Sequence, residues 1–171
     1  MKLGIISITA GILASFGGQA TAFAQSDGEA SELEVVSSEI GISVDRVGEI
    51  MREAGYSIAI DASIPEAPVI YSEIAGLNFV LVGFNCAEVC REFLFSANFD
   101  VEEAPALDLI NAFNAQALAG RAFLDEDGTP SVEHLFTMSG DDPVSLTRNL
   151  EIWESVLLDF ADYLTGDANV S

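Results

Sequence analysis

Cys86 and Cys90 are the only cysteines of the chain, and His134 is its only histidine. The cysteines are close enough in sequence for one bridge to close a local loop. An oxidising compartment favours that bridge, and closing so small a loop stabilises by roughly 2 kcal/mol in the chain-entropy account. A redox pair is the competing reading, but the reactive motif normally places two residues between its cysteines beside a helix start. Here there are three. The expected role of Cys86 and Cys90 is therefore a structural staple. Zinc would need more ligands than these two thiols and His134 supply, so no metal site is expected.

The remaining chemistry-bearing residues fall into no catalytic pattern. His134 alternates with Val132, Phe136 and Met138 on a strand-like stretch, which suits a partly buried, hydrogen-bonded ring better than a general base. No serine sits in a Gly-x-Ser-x-Gly elbow. The one lysine is Lys2, so a Walker loop is absent, as is Gly-x-Gly-x-x-Gly. Asp125-Glu126-Asp127-Gly128 invites a calcium reading, yet an EF-hand loop begun at Asp125 places Pro130 where glycine is required and Phe136 where the bidentate glutamate belongs. A hairpin tip accounts for the same residues. Paired carboxylates carry no signal, because 28 acidic residues make many accidental pairs. No catalytic residue and no cofactor is nominated.

Charge and the first residues bound the compartment and the partners. The 171-residue chain has 6 Lys+Arg against 28 Asp+Glu, a net charge of −22. Such a field repels nucleic acid and anionic headgroups. Lys2, the apolar run Leu3 to Phe16 and Ala22-Phe23-Ala24 have the form of an export signal, with cleavage expected between Ala24 and Gln25. Removing Lys2 leaves 5 basic against 28 acidic residues, or −23. No later apolar run approaches the roughly 20 residues of a membrane span. The expected product is a soluble periplasmic protein.

These residues need a scaffold, and the periodicity describes one. Half the residues are hydrophobic, so the acidity does not imply disorder. Residues 25–42 read as a flexible acidic leader, 43–165 as one domain and 166–171 as a tail. Ser43 caps a helix with Val44, Val47, Ile50, Met51 and Ala54 on one face, stopped by Gly55. Tyr56 to Asp61, Val69 to Glu73 and Asn78 to Phe84 read as strands, the last two joined through Ala75-Gly76. Apolar residues on both faces of Phe79 to Val82 indicate a central strand. Phe93, Phe95, Ala97 and Phe99 share one face of a fourth strand. Leu107, Ile110, Phe113 and Ala117 have helical spacing, ended by Gly120. A hairpin, Arg121 to Leu124 and Ser131 to Met138, turns at Asp127-Gly128, both expected at positive backbone angles. Asp142 and Pro143 open a last helix striped with Leu146, Leu150, Trp153, Leu157, Phe160 and Leu164. Val156 and Leu158 are expected on its exposed side. The fold class is α+β: an antiparallel sheet of about five or six strands with helices packed on one face.

Gly76 to Phe99, with Cys86 and Cys90 inside it, resembles the cysteine-bearing core of exported YbjN-domain proteins. Leu109-Ile-Asn-Ala-Phe-Asn114, Gly120-Arg-Ala-Phe-Leu-Asp-Glu-Asp-Gly128 and the Trp153 helix continue the resemblance to about Leu164. Ala117-Leu118-Ala119 departs from the basic, aromatic stretch expected before Gly120-Arg121. The family is described as bacterial sensory transduction regulators, with a fold similar to type III secretion chaperones. The resemblance implies a non-enzymatic protein that binds an unidentified protein partner or pairs as a homodimer. A small periplasmic enzyme using carboxylates or a metal near His134, and a structural envelope protein, are the alternatives.

Overall fold

The computed structural model describes residues 41–166. The expected signal peptide, its cut between Ala24 and Gln25, the leader as far as residue 40 and the tail residues 167–171 lie outside the described residues. The element order is α1 (Val44–Glu53), β1 (Ile58–Asp61), β2 (Val69–Ile74), β3 (Leu77–Phe84), β4 (Glu92–Asn98), α2 (Leu107–Gln116), β5 (Arg121–Leu124), β6 (Pro130–Thr137) and α3 (Pro143–Thr165). The strands form one antiparallel sheet in the order β1-β2-β3-β4-β6-β5. This is the expected α+β order of helix, four strands, helix, two strands, helix.

Local chemistry sets the element ends. The Ser43 hydroxyl accepts from the Arg46 amide and Asp142 Oδ1 accepts from the Ser145 amide, satisfying first-turn donors of α1 and α3. Pro143 sits in the first turn of α3, and Gly166 closes that helix in the left-handed region. Ala75 (φ 52°) and Gly76 (φ 82°) make the two-residue turn between β2 and β3. The β5–β6 tip departs from expectation. Its connection is five residues long, Asp125 Oδ1 accepts from the amides of Asp127 and Thr129, and of the two tip residues only Gly128 has positive φ. Asp125 N also donates to Thr129 O and Gly128 N to Asp125 O, and this longer tip needs a left-handed residue only at Gly128.

One row of aromatic side chains joins sheet to helix. Across the strands Leu81, Phe95 and His134 are in register, so their side chains share a face. Phe95 stacks on Trp153 of α3 at 5.3 Å and 8°, and on Phe136 at 5.1 Å. Phe79 meets both Phe95 and Trp153 edge-on at 5.9 Å. Phe160 extends the cluster to Phe113 of α2 and to Phe99. Such pairs contribute about 0.5–1.5 kcal/mol each beyond their area. Trp153 Nε1 is buried without an acceptor. At this centre Trp153 contributes ring packing and no hydrogen bond.

Other readings of the sequence also need correction. Val156, expected on an exposed side, is 6% exposed, and Leu158 is half-buried. Val156 lies beneath the chain that leaves α2, which no helical wheel of α3 reports. Ala54 caps α1 and is exposed, and α2 ends at Gln116, with Ala117 to Gly120 forming a loop. Ile42, read as leader, is 3% exposed and exchanges both backbone hydrogen bonds with Cys90.

Because Trp153 contributes rings rather than a hydrogen bond, Trp153→Phe is expected to cost less than about 1.5 kcal/mol, and Trp153→Ala about 3–5 kcal/mol. Urea unfolding of the two variants checks the difference.

Candidate functional site

Cys86 and Cys90 form a disulfide in the β3–β4 connection, with Cα atoms 4.3 Å apart. Both are buried. The Gly83 amide donates to Pro68 O and the Cys86 amide to Glu66 O, which ties the loop to the segment before β2. Cys90 pairs with Ile42, and Met138 N donates to Arg91 O beside it. A Cβ at Gly83 would lie 2.8 Å from Cys90 Sγ and 2.9 Å from Cys86 Sγ. The bridge therefore packs directly on the backbone of β3, and no side chain fits between.

His134 points to the helix-covered face. Its Nε2 lies 3.4 Å from Asn149 Oδ1 of α3, and Asn149 Nδ2 donates in turn to Ser145 O. Among the described residues no group of three or more His, Cys, Asp or Glu side chains is placed to hold a metal ion. No described helix is long and apolar enough to cross a membrane.

The opposite face of the sheet is different in kind. Its rows are read from the register: Tyr71, Val80, Ser96, Glu133 and Arg121 stand side by side, then Val69, Val82, Leu94 and Leu135. These side chains alternate with the core row, and no described helix covers them. Leu135 is 61% and Tyr71 49% exposed, while Val69, Val80, Val82 and Leu94 are half-buried by one another. Phe84 and Phe123 are half-buried towards its margins. The one acid within these rows, Glu133, accepts from Arg121 Nη2 at 2.9 Å, so the centre carries no net charge. Carboxylates stand at the margin: Asp61 on β1, Glu73 at the β2 end and Glu92 on β4. The backbone N–H of Ser63 holds the Asp61 carboxyl below the usual carboxylate range. Two shallow hollows mark the face, of about 540 Å³ beside Leu94, Arg121 and Leu135, and about 310 Å³ beside Tyr71, Val80 and Ser96.

The sequence reading nominated the disulfide but missed this face. The signal was present in Val69, Tyr71, Val80 and Val82, whose apolar side chains cannot all reach the core from alternating positions. The strand margin at β5 was also illegible. There the Asn114 side chain of α2 donates to Ala122 O at 2.9 Å and accepts from Ala122 N at 2.8 Å, occupying backbone groups of an edge strand.

A family model described as "YbjN: Putative bacterial sensory transduction regulator" matches residues 43–165. No curated protein and no solved structure matches the chain.

Replacing Cys86 and Cys90 by Ser is expected to lower stability by roughly 2 kcal/mol. Gly83→Val in the oxidised protein should cost at least as much, because its side chain has no room against the two sulfurs. Denaturant midpoints of the two variants, read against wild type, test both.

Proposed function

The chain belongs to the YbjN family, and from that premise we propose that it works as an exported regulatory domain without catalysis, holding a segment of a partner protein on the helix-free face of its sheet. The carrying observation is that face: a charge-neutral apolar centre with carboxylates at its margin, on a chain of net charge −22. Exposed apolar surface of this arrangement suits a protein ligand. The surrounding charge selects one with apolar residues in the middle and Lys or Arg at both ends. Export is supported by the first twenty-four residues and fits a chain whose cysteines are both bridged. The disulfide then serves to fix the loop between β3 and β4, the two central strands of the binding face.

The enzyme alternative has less support. His134 Nε2 is turned towards Asn149 of α3, and among the described residues no carboxylate pairs with it. The structural-envelope alternative would not require a neutral centre inside an acidic margin.

Two measurements test the proposal. A fluorescein-labelled peptide of alternating Val and Leu flanked by lysines should bind the full chain, and Leu135→Asp should weaken it about tenfold, the size expected from losing one buried leucine contact. The same peptide flanked by glutamates should not bind. Equal binding to wild type and Leu135→Asp, or no binding to either, contradicts the reading. For export, the periplasmic fraction of expressing cells should yield protein beginning at Gln25; recovery in the cytosol with Met1 retained contradicts it.

A further inference from the structure

One side of α3 carries unlike charges at its two ends and faces a groove. Arg148, Ile152, Ser155, Asp159 and Asp162 follow one another at intervals of four, three, four and three, which places them on one stripe. All five line a groove of about 800 Å³ between α3 and the loop that follows α2. That size lies within the roughly 300–1,000 Å³ of small-ligand sites. Phe113 of α2 and Val156 of α3, both buried, give it an apolar lining between the charges. Arg46 and Arg121 meet carboxylates of their own chain, whereas Arg148, Asp159 and Asp162 make no ion pair among the described residues. The two aspartates stand about 16 and 21 Å from Arg148 along the helix, at 1.5 Å per residue.

The wall opposite α3 offers backbone. Ala117 leaves α2 in an extended conformation, with φ −62° and ψ 126°. The N–H and C=O groups of Leu118 and Ala119 have no hydrogen-bond partner among the described residues, and the Leu118 side chain is fully exposed. Free donors and acceptors on an extended stretch are what another extended backbone pairs with. The wall is also fixed in place. At Gly120, where φ is +76°, the loop is pressed so closely onto α3 that a Cβ would lie 2.6 Å from Val156 Cγ1. The groove is therefore formed before any ligand enters, which lowers the cost of binding.

We propose that this groove binds a short extended peptide with both termini free, its carboxylate at Arg148 and its ammonium group at Asp159 and Asp162. Five residues at roughly 3.3–3.6 Å each span about 17 Å, which matches the separation of the charges. The peptide backbone pairs with Leu118 and Ala119, and its apolar side chains cover Phe113, Val156 and Leu118. Other ligand classes satisfy one end only. A polyamine would set a cation against Arg148, a fatty acid would set apolar chain or carboxylate against the aspartates, and an internal protein segment brings neither terminal charge. Because α3 lies on the other side of the sheet from the open face, this site is separate from the one proposed for a partner segment.

The test is calorimetric titration of the full chain with a pentapeptide of alternating Ala and Leu. The peptide with free termini should bind. Acetylating its amine or amidating its carboxylate should each weaken binding at least about fivefold, the upper range for an exposed ion pair. Arg148→Gln should weaken the free peptide by the same factor and leave the amidated one unchanged, and Asp159→Asn combined with Asp162→Asn should do the same for the free and the acetylated peptide. These three side chains are exposed, and near-UV circular dichroism should be unchanged. Leu135→Asp on the open face should alter none of these affinities, which keeps the outcome distinct from that of the partner-segment test. No binding of the free peptide at millimolar concentration overturns the proposal. So does equal binding of the free and doubly blocked peptides, or an Arg148→Gln loss of the same size for the free and amidated forms. Binding that appears only after residues 167–171 are removed would make the chain's own tail the occupant and overturns it as well.

Discussion

The stack of Phe95 on Trp153 is the contact on which the rest of the structure depends. It joins the middle of the sheet to the middle of the longest helix, and Phe79, Phe136 and Phe93 pack around it. Large planar rings on one side of β3, β4 and β6 can be buried only by helices on that side. Each strand then has to present its alternate residues to the other side. Filling one face with aromatic volume thereby determines that a second face exists, and no described helix covers it.

What stands on that second face decides function. A solvated sheet face would carry alternating polar residues, and this one carries Val69, Tyr71, Val80, Val82, Leu94 and Leu135. Burial among neighbours accounts for the valines but leaves Leu135 and Tyr71 in water. The Arg121–Glu133 pair is exposed on its arginine side and adds little to stability, about 0–1 kcal/mol. Its consequence lies elsewhere, in removing net charge from the centre of the face. The disulfide acts at the end of the same strands, where it packs on Gly83 and, through Cys90, holds Ile42 against the domain.

Much of this was legible in the sequence, and the illegible part has physical reasons. Helix and strand positions followed from spacing, since Val47, Ile50 and Met51 or Phe93, Phe95 and Ala97 can be buried together in only one backbone conformation. The caps Ser43 and Asp142 were legible because their chemistry is local. Cys86 and Cys90 were legible because so few residues separate them. Val156 was not, since what covers it comes from another part of the chain. Ile42 was not, since its pairing with Cys90 spans a long sequence separation. Asn114 gave no sign that its amide would stand in for a neighbouring strand. Apolar residues on both sides of β3 marked a central strand, which it is, but they do not say whether a second layer covers the far side, because that depends on how many helices the chain supplies.

The most direct test is to map where a bound segment lies. Nuclear magnetic resonance spectra of the full chain, recorded while a lysine-flanked apolar peptide is added, should show shifts concentrated at Val80, Val82, Leu94 and Leu135, with Leu150 and Leu157 undisturbed. Shifts confined to the helices, with the sheet residues unchanged, would contradict the account.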